Sequence, residues 1–141
     1  MPPVKLPKRV KHRKMHKRRI NGQATSCNTV EFGDFGIQSL EAGRITSSQI
    51  EAARVAANRM LGRTGKIYIR IFPQKSATSQ PAETRMGKGK GDIDYWYAEV
   101  KAGTVLFEIA GVSEDLARQA FSRQAYKLPV KACMIKRRHS L

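Results

Sequence analysis

Most of the residues in this sequence that could do chemistry are lysines and arginines, and they are grouped. Residues 1–19 carry Lys5, Lys8, Arg9, Lys11, Arg13, Lys14, Lys17, Arg18 and Arg19, and the first acid of the chain is Glu31. A block of one charge sign with few apolar residues cannot fold alone, and Pro2, Pro3 and Pro7 oppose a helix at its start. The spacing predicts a tail that is extended by itself and orders against an anion, threading among phosphates. The competing reading is a solvated or targeting tail. His12 and His16 stand four residues apart, as metal ligands can, but so many neighbouring cations disfavour a metal ion and none is expected.

A second group lies in Pro81-Ala82-Glu83-Thr84-Arg85-Met86-Gly87-Lys88-Gly89-Lys90-Gly91, which offers almost no side chain to a core. Together with residues 74–80 it predicts an irregular connection over 74–91, and connections that long inside a compact domain are usually functional or disordered. Its glycines allow a partner close to the backbone, while Arg85, Lys88 and Lys90 bring charge to the same place. A second polyanion contact is the economical reading, with a flexible linker as the alternative. A P-loop would need glycine at Ala82 and Ser or Thr at Gly89, and no G-x-G-x-x-G follows a strand and opens a helix.

Catalytic constellations are lacking. No histidine falls between Ile20 and Arg138, Cys27 and Cys133 stand without metal-ligand spacing, and Asp92 and Asp94 read as solvated residues at a strand edge. The expectation is a binding protein with no enzymatic activity, no cofactor and no metal. The 27 Lys+Arg against 11 Asp+Glu give +16 over 141 residues, a charge that a polyanionic partner would offset. No apolar run approaches the roughly 18 residues of a membrane span, and no secretory pattern follows the basic start. No membrane association and a cytoplasmic location are expected, an organelle being the alternative.

These groups need a scaffold, and one domain's worth of chain is present. The division expected is a basic arm over 1–27 and a single α+β domain over 28–141 that contains the loop 74–91. Val30, Phe32, Phe35, Ile37 and Leu40 predict one or two short strands broken near Asp34. Ser48 and Glu51 form a capping box opening a helix whose stripe is Ile50, Ala53, Ala56, Ala57, Met60 and Leu61, with Gly62 or Gly65 ending it. Its polar side carries Arg54, Arg59 and Arg63. Residues 66–72 alternate, with Ile67, Ile69 and Ile71 on one face and Tyr68, Arg70 and Phe72 on the other; the second face resembles a base-stacking platform but lacks an aromatic neighbour, so packing under a helix competes. A hairpin is expected from Ile93 to Ile109 around residues 101–104. Ser113 caps a second helix, Pro129 stops it, and residues 130–135 return as a strand before the basic end Lys136, Arg137 and Arg138. The predicted order is β, α, β, β, β, α, β: a compact two-layer α+β sandwich, mainly antiparallel, with two helices and an extended basic arm.

Gly65-Lys66-Ile67-Tyr68-Ile69-Arg70-Ile71-Phe72-Pro73, the loop 81–91 and Lys127-Leu128-Pro129 resemble bacterial-type large-subunit ribosomal protein sixteen. Leu6-Pro7-Lys8-Arg9, Phe32-Gly33-Asp34-Phe35-Gly36 and Gln49-Ile50-Glu51-Ala52-Ala53-Arg54 extend the likeness over nearly the whole chain. Tyr68 departs from it, standing where Trp is common, and Pro2 and Pro3 lengthen the arm. The resemblance implies a structural and assembly component, with large-subunit ribosomal RNA, neighbouring ribosomal proteins and A-site transfer RNA as partners and P-site transfer RNA as a further candidate; no homo-oligomer is implied. By the same resemblance Arg85, Met86, Gly87, Lys88, Gly89 and Lys90 point toward transfer RNA and the peptidyl-transferase region. The arm cations with Arg59, Arg63, Arg70, Lys136 and Arg137 are the expected ribosomal RNA contacts.

Overall fold

The computed structural model describes residues 6–138. Its elements are β1 (Phe35–Ser39), β2 (Gly43–Thr46), α1 (Ser47–Leu61), β3 (Lys66–Ile69), β4 (Lys75–Ser79), β5 (Asp92–Val100), β6 (Val105–Ala110), α2 (Glu114–Ala125) and β7 (Ala132–Lys136). Two antiparallel sheets form, in the orders β3-β6-β1-β7 and β2-β5-β4. The helices pack on each other, and α1 also touches strands of both sheets. Ile37, Ile45, Ile50, Leu61, Leu106, Phe107, Ile109 and Phe121 fill the shared core with helix alanines at 53, 57, 117 and 120. Small residues on both helices let their backbones come close while each side chain is fully removed from water. This is the α+β class that the sequence predicts.

Several expectations need correction. The helix α1 opens two positions earlier than Ser48 and Glu51 suggest: Thr46 is the cap, its hydroxyl accepting from the Gln49 amide while the Gln49 side chain accepts from the Thr46 amide. Thr46-x-x-Gln49 satisfies the capping-box pattern equally well, and Glu51, inside the helix, turns to Arg54 instead. Gly62, left-handed at φ 55°, ends the helix as expected. The expected hairpin is not one. Residues 101–104 do turn, but β5 pairs with β2 and β4 while β6 pairs with β3 and β1. Each is an interior strand of its own sheet, with both hydrogen-bonding edges taken, so neither edge is left for the other.

Two strands escaped the sequence pattern. The strand β2 is only four residues, and β4, Lys-Ser-Ala-Thr-Ser, has no large apolar side chain to signal burial, although Ser76 and Ala77 are buried. With β4 in place the irregular connection shrinks to 80–91 and becomes the tip of a β4–β5 hairpin. The strand at 66–72 ends at Ile69, which is 38% exposed, whereas Ile67 and Ile71 pack on the core. The order is therefore β, β, α, β, β, β, β, α, β.

Candidate nucleic-acid interface

Residues 6–27 form no helix or named strand; residues 13–18 are attached to the β2-β5-β4 sheet and its tip through their carbonyls, and the Cys27 carbonyl accepts from Val105 of β6. The Ser76 hydroxyl donates to the Arg13 carbonyl at 2.6 Å, Arg44 donates to the Arg18 carbonyl at 2.7 Å, and the Lys90 ammonium donates to the Met15 carbonyl. Pro7, Val10 and Met15 are half-buried and line one small hollow with Phe72, Gln74 and Lys75. The intervening Lys8, Arg9, Lys11, Arg13, Lys14, Lys17, Arg18 and Arg19 are all exposed. Lys5 lies outside the described residues. The sequence predicted a tail without enough apolar residues to fold; the few it has serve as pegs, and carbonyls do the rest.

The hairpin tip stands beside this arm. Residues 80–90 are exposed, Met86 to 97%. Gly87, Lys88 and Gly89 follow one another with φ of 109°, 60° and 85°, a left-handed run that a non-glycine residue rarely joins. Nothing lies within 4 Å of where a Cβ would sit on Gly87 or Gly89, so the run keeps its backbone open on that side. The base of the tip is tied by Gln80, whose side-chain amide donates to the Gly89 carbonyl at 3.0 Å. Arm and tip also exchange contacts: Lys14 donates to the Lys90 carbonyl at 3.1 Å and sits 3.5 Å from Asp92, while Lys90 returns its ammonium to Met15. Arg85, Met86 and Lys88 are exposed at the apex. The two groups singled out in the sequence thus meet on one edge of the molecule.

The remaining candidates are scattered. Arg59 and Arg63 are exposed at the end of α1. Arg137 and Arg138 line a hollow with Asn28, Glu31 and Gln38, and Lys136 pairs with Glu114 at 2.6 Å. Arg70 differs from all of these. Its side chain is 11% exposed, it forms an ion pair with the wholly buried Glu108, and its second terminal nitrogen lies 3.3 Å from Glu31. Burial alone would raise the Glu108 pKa. The Gly33 amide, the Arg70 guanidinium and the amides of Phe32 and Glu31 outweigh it and hold the carboxyl below its ordinary value. The sequence reading missed this knot because nothing in Val-Leu-Phe-Glu-Ile distinguishes a buried paired glutamate from a solvated one.

Among the described residues no three His, Cys, Asp or Glu side chains group as a metal site. Asp92 and Asp94 lie at the start of β5, beside the tip, and both are exposed.

Fold and surface together describe an α+β scaffold that carries a basic strap and a glycine-rich tip side by side, a form suited to a polyanionic partner. A family model described as ribosomal protein L16p/L10e matches residues 7–135. The chain is also 58% identical over 133 residues to the large ribosomal subunit protein uL16 of Rhodopirellula baltica, covering 94% of this chain and 96% of that protein. The chain belongs to the ribosomal protein L16p/L10e family, and its role is that of a structural ribosomal protein, with ribosomal RNA and other ribosomal proteins as partners.

Proposed function

We propose that this chain is a constituent of the large subunit that grips large-subunit ribosomal RNA with its arm and presents the tip 80–91 near the peptidyl-transferase region, close to A-site transfer RNA, with P-site transfer RNA as a further neighbour. The observation that carries this reading is the fastening of arm to tip through Lys14 and Lys90, which leaves one continuous edge of exposed cations. Such cations neutralise closely spaced phosphates and release counterions, a contribution that is strong, largely blind to sequence and sensitive to salt. RNA shape then supplies the choice of site. The arm cations Lys8, Arg9, Lys11, Arg13, Lys14, Lys17, Arg18 and Arg19 with Arg59, Arg63, Arg137, Arg85 and Lys88 are the phosphate contacts proposed, and Lys90, whose ammonium donates to the Met15 carbonyl, is the tip residue that seats the arm. Arg70 is left out because its guanidinium is already held by two carboxylates.

Sedimentation of the tagged protein through a sucrose gradient at about 0.5 M salt tests this, since loosely held electrostatic binders are shed as counterions compete. Stoichiometric co-migration with large subunits is expected. Loss to the top fractions would replace the proposal with a transient RNA-binding factor.

A further inference from the structure

We propose that Phe32 and Tyr68 form a platform on which one unpaired base of ribosomal RNA stacks; the inference rests on the RNA-binding reading above. Phe32 is 58% exposed, yet it is not a loose side chain. Its ring stacks on Tyr68 with centroids 5.7 Å apart and planes 26° from parallel, and the Arg70 guanidinium carbon lies 4.8 Å from its centroid. The Lys66 ammonium lies 5.0 Å from the Tyr68 ring centre.

The backbone beneath Phe32 is held as firmly as its ring. The Glu108 carboxylate accepts the amides of Phe32 and Gly33 at 2.7 Å each, and that of Glu31 at 3.3 Å. Gly33 presses so close to β6 that a Cβ there would come within 2.7 Å of the Ile109 carbonyl. A buried charge is expensive to maintain, and here it fixes a loop whose tip is a large apolar ring facing water. A lone exposed ring would be ordinary, but Phe32 is fixed against Tyr68 as one aromatic patch at the surface, and it is that pre-ordered patch that suits a partner.

The chemistry of the surroundings selects that partner. Arg70 is offset by Glu31 and Glu108, which makes this patch a poor phosphate site compared with the arm. A flat, uncharged surface is what fits, and every base offers one. Lys66, exposed beside Tyr68, and Arg63 three residues earlier supply cations for the phosphates flanking an extruded nucleotide. An aliphatic side chain of a neighbouring protein would use the ring area but gain nothing from its π-face or from these cations.

The test uses the full chain and large subunits stripped of this protein by salt. Phe32→Ala is expected to weaken rebinding roughly 5- to 150-fold, the range for one lost base stack, without changing the dependence of affinity on salt. Phe32→Trp retains affinity, Phe32→Leu loses it like alanine, and chemical probing shows one nucleotide becoming more reactive when alanine replaces Phe32. Melting curves confirm that the variants fold. Wild-type affinity in Phe32→Ala overturns the proposal, and so does wild-type affinity in Phe32→Leu, which would mark an apolar protein contact. Failure of the wild-type chain to rebind at all would instead remove the RNA reading underneath.

Discussion

On the β2-β5-β4 sheet the arm is fastened through carbonyls, at Arg13, Met15 and Arg18, so its charged side chains stay in water. On the β3-β6-β1-β7 sheet Arg70 is fastened through its guanidinium, and its charge is used up inside the protein. One residue type therefore does opposite work on the two sheets. What separates them is whether a carboxylate has been built in to meet the cation: Glu108 waits for Arg70 on β6, whereas among the described arm cations Lys14 alone is paired, with the exposed Asp92. Net charge counts both kinds alike.

The largest expected effect comes from breaking the internal side of this contrast. Glu108→Gln leaves Arg70 with only the exposed Glu31 and weakens the acceptor for three amides, and removing one partner of a buried pair costs about 3–5 kcal/mol. Urea unfolding at pH 7 measures it; a loss below about 1 kcal/mol would mean that the pair does not anchor the loop. Because the folded-state pKa of Glu108 is depressed, its contribution is fully present above the ordinary carboxylate value of 4.5 and is lost as pH falls through the lower folded value. Wild-type stability should therefore drop on acidification below about pH 4.5, and Glu108→Gln should flatten that part of the curve.

A matched pair of substitutions sharpens the comparison next. Arg70→Lys replaces a planar fork by a point donor that cannot serve Glu108 and Glu31 together, at about 1–2 kcal/mol, with the salt dependence of RNA binding unchanged. Arg85→Lys, at the exposed tip, is expected to leave the melting curve alone and impair subunit maturation or A-site occupancy. Reversal of the two outcomes would exchange the roles assigned to these arginines.

How much of this was legible depended on whether the signal was local. Class and core positions followed from periodicity: Ile50, Ala53, Ala57 and Leu61 are the buried stripe of α1, and Gly62 is its stop. Sheet membership did not follow, because a tight turn at 101–104 looks the same whether the flanking strands pair or part. Nor could β4 be seen, since Ser76 and Ala77 are buried without being bulky. The aromatic neighbour that alternation does not supply to the face of Tyr68 arrives from Phe32, thirty-six positions away and outside any strand, a contact no alternation rule contains. The cationic groups were visible as composition; that Lys14 and Lys90 fasten them together was not, because the two contacts run to backbone carbonyls.

That fastening gives the smallest predicted effect. Lys88 is exposed and its ammonium has no partner among the described residues, so Lys88→Ala should lower the slope of log affinity against log salt by about 0.7–0.9, one phosphate's worth. Lys90 already donates to Met15, so Lys90→Ala should lower the slope less while speeding tryptic cleavage of the arm in the free protein. Equal slopes for the two variants with unchanged cleavage would show that Lys90 is a second phosphate ligand and that the arm is held by Ser76 and Arg44 without it. The opposite result ties the geometry of the tip to the seating of the arm, since the residue that holds the arm down is also part of the loop beside it.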